Sequence, residues 1–151
     1  MAWTIHTSAL ARMVEEHLNS APSPEVGKFY LILTNGAVIT NTSTIAQVVA
    51  AELPLLNGYA RMPYNPGAGS YDNTQNRYEA PIVTTSITAT GAALQYDTIV
   101  LISDANPTIG EAVGNIEVFK IVGSTTIAAG ATQSFVVSFN AGSSGVDLSA
   151  A

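Results

Sequence analysis

Residues 82–140 read IVTTSITATGAALQYDTIVLISDANPTIGEAVGNIEVFKIVGSTTIAAGATQSFVVSFN. Runs of β-branched and aromatic residues alternate here with Gly, Pro and Asn, the pattern of short strands separated by turns. Ile82 to Thr90 is β-branched and stops at Gly91. Tyr96 to Ile102 hardly alternates, which predicts a central strand covered on both faces. Val118 to Val122 runs into Gly123, and Thr126 to Ala128 follows as a separate short segment. Thr132 to Asn140 alternates, with Phe135, Val137 and Phe139 on one face and Ser134, Val136 and Ser138 on the other. Such a block predicts a mainly β fold, a single β-sandwich or barrel-like domain.

Towards the C-terminus, Gly142 to Gly145 reads as a turn before a short strand at Val146 to Leu148. Towards the N-terminus, Lys28 to Thr34 is another strand, and Asn35-Gly36 is a turn pair after which Ala37 to Thr40 returns as a hairpin partner. Thr44-x-x-Gln47 is a capping box before Val48, Val49 and Leu53, predicting a short helix closed by Pro54. Between Leu55 and Pro81 the turn signals Asn57-Gly58, Asn65-Pro66-Gly67 and Gly69-Ser70 mark irregular chain. Tyr59, Met62 and Tyr64 suggest a short strand before this loop, and Arg77 to Glu79 another after it. The tyrosines at 59, 64, 71 and 78 either pin the loop onto the body or act as contact anchors. Leu10, Val14 and Leu18 recur at helical spacing behind Thr7 and Ser8, and Pro22 and Pro24 end that helix. The chain is thus read as an N-terminal helical arm, 1–26, and a β-rich domain, 27–151, with two short helices in all.

The charge balance narrows the function classes. Of 151 residues only 11% are charged, and the 5 basic against 11 acidic side chains give a net charge of -6. Five scattered cations draw no basic stripe for a polyanion, so direct nucleic-acid binding is not expected. A surface so poor in charge can meet copies of itself without burying ions, which favours homo-oligomers. With no cysteine there is no disulfide or zinc-thiolate chemistry. The apolar runs are too short for a membrane span, and the N-terminus lacks the pattern of a signal peptide.

Catalytic patterns are lacking in the sequence. His6 and His17 flank the first helix without metal-ligand spacing, and are read as surface or capping groups. No nucleophile elbow, P-loop or dinucleotide fingerprint occurs, and Gly142-Ser143-Ser144-Gly145 leads into no helix. Asp72, Glu79, Asp97, Asp104, Glu111 and Glu117 show no spacing that marks a catalytic pair. Asp72-Asn73-Thr74 and Asp104-Ala105-Asn106 have the look of calcium loops but not the ligand density of an EF-hand. No enzyme activity, cofactor or metal is assigned on these grounds.

Two segments, Leu53-Pro54-Leu55-Leu56-Asn57-Gly58-Tyr59-Ala60-Arg61 and Ser86-Ile87-Thr88-Ala89-Thr90-Gly91, are similar to stretches of small structural proteins of tailed bacteriophages and cyanophages. The resemblance spans Phe29 to Ile102. Leu56 stands where a second turn-former is usual, Thr90 replaces Ser, and the N-terminal helix has no counterpart. What the resemblance implies is a virion component present in many copies: a capsid decoration (cement) protein that self-associates and contacts the major capsid protein. The alternative is a tail or fibre module that binds host glycan through Tyr71 and Tyr78. The expected interface comprises Leu10, Val14, Leu18, Tyr59, Met62, Tyr64, Tyr71 and Tyr78.

Overall fold

Phe29–Thr34 (β2, FYLILT) is apolar at almost every position, and it lies near the middle of a sheet with both faces covered. The computed structural model describes residues 4–7, 9, 29–65, 70–74, 77–79, 81–103, 110, 112, 114–142 and 145–149. β2 pairs antiparallel with Met62–Tyr64 (β3) on one side and Leu94–Ser103 (β7) on the other. β7 pairs in turn with Asn115–Ile127 (β8), which receives the short Thr4–Ile5 (β1). Sheet 1 therefore runs β1-β8-β7-β2-β3.

Sheet 2 is built on Thr132–Gly142 (β9). One side of β9 carries Gly145–Ser149 (β10), and the other carries Arg77–Glu79 (β5) with Val83–Thr88 (β6) running on after it. Ser70–Asp72 (β4) pairs with β5 at the margin. β5 pairs with the end of β9 and β6 with its beginning, and Pro81, which has no N–H to give a ladder, stands just before β6.

The inner faces of the two sheets meet in one apolar cluster. Leu31, Leu33, Tyr96, Ile99 and Leu101 of sheet 1 face Ile87, Phe135 and Val137 of sheet 2, and the rings of Tyr96 and Phe135 stand edge to face at 6.0 Å. A second cluster covers the far side of sheet 1. There Ile32, Val100, Ile102, Ile116 and Phe119 lie under Ile39 and under Val48 of the helix Ile45–Ala51 (α1). Thr44 caps α1 as its sequence predicts: its hydroxyl accepts from the Gln47 N–H, and Gln47 Oε1 accepts from the Thr44 N–H.

This architecture corrects the sequence reading in several places. Two open sheets replace the closed sandwich or barrel, and α1 is the one helix among the described residues. Of the helix expected over Ser8 to Leu18 only Ala9 is among them, helical and buried; the rest of that expectation lies outside the described residues. Closure fails where β3 meets β6. β3 is only three residues long and has Pro63 at its centre, so it offers little backbone to extend a ladder.

The hairpin expected after Asn35-Gly36 does not form either. Gly36 turns with φ 78°, its N–H bonds Asp97 Oδ2 at 2.7 Å, and residues 37–40 cross the outer side of sheet 1 so that Ile39 is buried. Gly123 does not end a strand. Between Tyr96↔Thr125 and Thr98↔Ile121, three residues of β8 oppose one of β7, and Gly123 at φ 75° absorbs the bulge within one continuous strand.

Candidate functional site

The irregular stretch after α1 is organised by a buried ion pair. α1 ends at Glu52, whose backbone turns extended and bridges Thr34, while the Leu53 N–H bonds Leu33 O at 3.0 Å. Asn57 and Gly58 then form a two-residue turn with φ 55° and 85°, closed by Tyr59 N–H on Leu56 O at 3.0 Å. The turn sends the chain back past Glu52. Arg61 grips the carboxylate with two prongs, Nε to Oε1 at 2.8 Å and Nη2 to Oε2 at 2.7 Å, and both side chains are 1% exposed. The Tyr59 hydroxyl donates to Glu52 Oε1 at 3.0 Å and accepts from the Leu33 N–H at 3.1 Å. Burial first, and then the charge of Glu52, push the Tyr59 hydroxyl well above its ordinary pKa, so it stays a donor.

Beside this network a cleft of about 400 Å³ separates the 58–63 segment from β6, with Arg61, Met62 and Pro63 on one wall and Thr85, Ser86 and Ile87 on the other. The Glu52 carboxylate neutralises the Arg61 guanidinium at its edge. The cleft narrows to contact at Gly58: a Cβ built there would lie 2.2 Å from the Thr88 carbonyl oxygen.

Where β6 pairs with β9, the outer side of sheet 2 carries a cluster of hydroxyls. Thr84, Ser86 and Thr88 of β6 are exposed, and the register sets Ser86 opposite Ser134 and Thr88 opposite Thr132. The hydroxyls of Thr88 and Thr132 are 2.7 Å apart. No charged residue occurs from Ala80 to Tyr96. Large apolar side chains also stand in solvent: Leu55, Leu56, Ile82 and Val38, the last 85% exposed.

The tyrosines expected at an interface divide between core and surface. Tyr59, Met62 and Tyr64 are buried in the inter-sheet cluster of the single chain. Tyr71 is 54% exposed, and the ladder of β4 and β5 sets it opposite Tyr78. Leu10, Val14 and Leu18 lie outside the described residues.

The acids are dispersed. The same ladder sets Asp72 opposite Arg77 and Glu79 opposite Ser70, and Asp72 Oδ1 closes its own turn by accepting from the Thr74 N–H at 2.7 Å. Asp97 holds Gly36 and the Thr98 hydroxyl, while Asp104 and Glu111 lie outside the described residues. Among the described residues no three His, Asp or Glu side chains come together as a metal site. No helix among them is long and apolar enough to cross a membrane.

His6, read from sequence as a surface or capping group, is buried, and its carbonyl accepts from the Ala9 N–H at 3.1 Å. Its Nε2 lies 2.8 Å from Ser43 O, and its N–H bonds Glu117 O, tying β1 to the rest. His17 lies outside the described residues. Sequence reasoning also missed the Glu52–Arg61 pair. Its signal was an acid at a helix end and an arginine nine residues on, with an Asn-Gly turn between them.

No protein-family model matches this chain, and no match is found among curated proteins or among solved structures.

Proposed function

We propose that this protein is a virion structural subunit, a capsid decoration protein that works by surface contact and self-association. The observation that carries the reading is the patch of hydroxyls where β6 pairs with the first half of β9, with Thr84, Ser86, Thr88, Thr132 and Ser134 all exposed and no charged residue among them. A face of short neutral side chains can be covered by another protein without stranding a buried ion, and the hydroxyls can trade water for main-chain partners. Exposed Leu55 and Leu56 add apolar area of the kind that a contact removes from water. The resemblance of Leu53 to Arg61 and Ser86 to Gly91 to phage structural proteins supplies the virion context. Many copies on a shell would combine modest individual contacts through avidity.

The test is co-sedimentation of purified protein with capsids of a tailed phage that carries this gene, before and after its own decoration is stripped. Binding that saturates at a fixed copy number, and is lost on placing Asp at both Ser86 and Ser134, supports the reading. Failure to bind any capsid intermediate sinks it.

One observation favours a second reading. Tyr71 is exposed on β4, the marginal strand of sheet 2, and an exposed ring at a sheet margin is suited to stacking on a sugar ring. Under that reading the protein is a tail or fibre module that binds host glycan, and a glycan array gives signals that Tyr71→Ala abolishes.

A further inference from the structure

The sequence holds two Asn-Gly pairs, Asn35-Gly36 and Asn57-Gly58, and the fold treats them oppositely. In such a pair the glycine nitrogen is a nucleophile for the asparagine side-chain carbonyl, because no Cβ crowds its approach. Reaction then depends on freedom around the pair and on a base to take the proton. Asn57-Gly58 lacks the freedom. The Asn57 carbonyl accepts from the Thr90 N–H at 2.9 Å, and its Oδ1 lies 2.7 Å from where a Cβ on Gly91 would stand. Gly58 itself backs onto the Thr88 carbonyl. Ring closure has to swing both side chain and peptide, and packing on these three sides opposes it.

Asn35-Gly36 is open. Both residues are exposed, and a Cβ at Gly36 would meet nothing within 4 Å. A base is also in place. Asp97 Oδ2 accepts from the Gly36 N–H at 2.7 Å, within the reach that a general base needs. Its Oδ1 accepts from the hydroxyl of buried Thr98 at 2.9 Å, which aims the carboxylate. The N–H lies in the peptide plane, whereas the nitrogen attacks through the face of that plane. The bond to Asp97 therefore leaves the attacking side clear.

We propose that Asn35 is a site of self-modification, at which the chain loses its side-chain amide to the Gly36 nitrogen with Asp97 as the base. The Gly36 nitrogen bonds to Asn35 Cγ while its proton passes to Asp97. The bond from Cγ to the side-chain nitrogen then breaks, and that nitrogen takes the proton and leaves as ammonia. Water opens the resulting cyclic imide at either carbonyl, giving aspartate or isoaspartate. The product sets a new negative charge beside Asp97. Isoaspartate also adds a carbon to the main chain between β2 and the 37–40 crossing, the segment that buries Ile39.

The experiment is peptide mapping by mass spectrometry of the full chain, held in neutral buffer and sampled over weeks. Electron-transfer fragmentation distinguishes isoaspartate from aspartate. The wild type and Asp97→Asn are followed in buffer and in guanidinium chloride, and circular dichroism checks that the variant folds. Asp97→Asn keeps the size and an oxygen for the Gly36 N–H but gives up the base. In buffer, Asn35 is expected to convert at least about tenfold faster than Asn57, and Asp97→Asn to slow it by on the order of tenfold. In denaturant the two asparagines convert alike, and the substitution makes no difference. An Asn35 that lasts as long as Asn57 in the folded chain overturns the proposal. So does an unchanged or faster rate in Asp97→Asn, which makes the carboxylate a clamp on the amide and not its base. If the variant fails to fold, the wild type still decides: Asn35 has to convert faster folded than denatured, and the reverse order overturns the proposal.

Discussion

Replacing Arg61 by Met removes one half of a fully buried ion pair and leaves the other half in place. The Glu52 carboxylate then keeps one of the three donors described above, the Tyr59 hydroxyl, and loses the two guanidinium bonds of 2.8 and 2.7 Å. With both side chains 1% exposed, water does not step in as it would at the surface. Breaking such a pair from one side costs about 3–5 kcal/mol. For a chain of this size each kcal/mol is worth roughly 2–4 °C, so the midpoint falls by about 6–20 °C.

The assay is urea unfolding followed by far-ultraviolet circular dichroism, where a lower midpoint at constant m reports lost stability. The companion variants are Glu52→Leu and the double Glu52→Leu/Arg61→Met. Filling the site with apolar groups of similar volume is often close to neutral, so the double variant should be more stable than either single one. The reasoning would be refuted by additive losses, with the double variant the least stable of the three, or by an Arg61→Met cost below about 1 kcal/mol.

Four further outcomes follow from the same structure. Gly58→Ala meets both a left-handed φ of 85° and the Thr88 carbonyl at 2.2 Å from the new Cβ, and should cost about 2–4 kcal/mol by chemical denaturation. Thr44→Ala removes one half of the capping box and should cost about 1 kcal/mol, with exchange quickening first in the opening turn of α1. Tyr64 and Tyr59 should respond in opposite directions to Phe. The Tyr64 hydroxyl is buried without a partner among the described residues, so losing it stabilises by about 1 kcal/mol, whereas Tyr59→Phe forfeits its bonds to Glu52 and Leu33 and destabilises by about as much.

Alkaline pH supplies the last. Burial raises the hydroxyls of Tyr59, Tyr64 and Tyr96 above their ordinary 10.0, so above that pH the unfolded chain releases protons that the folded one retains. Stability is therefore full below pH 10 and falls as pH rises, by up to roughly 1.4 kcal/mol per unit for each tyrosine. Denaturation midpoints from pH 8 to 11 measure the slope, and Tyr59→Phe should reduce it by one proton's worth.

Local signals were legible where a few neighbouring residues settle the geometry. Thr44 and Gln47 cap a helix because each side chain reaches the other's backbone. Asn57-Gly58 turns because both residues accept positive φ. The near absence of alternation in Tyr96 to Ile102 reported a strand with apolar cover on both sides. What failed depended on partners distant in the chain. Ala37 to Thr40 has strand composition, yet Ile39 gains more by filling the gap beside Val48 over Ile32 and Val100. Gly123 looks like a terminator, and only the register against β7 reveals it as a bulge. Open sheets and a closed barrel share the same strand alternation. The difference lies in whether β3 and β6 bond, which period alone does not encode. Of the candidate surface, the density of tyrosines was visible, but which of them face inward was not, because Tyr59 and Tyr64 are positioned by Glu52, Leu33 and the opposite sheet.

The placement of β2 between β3 and β7 has a consequence for how the chain is made. On the ribosome, FYLILT emerges before either neighbour. The strand that completes its pairing ends at Ser103, roughly 70 residues later, which at about 5–20 residues per second leaves its β7 edge unpaired for roughly 4–14 seconds. During that interval this apolar strand is covered only by the short β3 and by α1 with its capping box. Nascent-chain yield should therefore respond more sharply to changes at Thr44 and Gln47 than the stability of the finished molecule does.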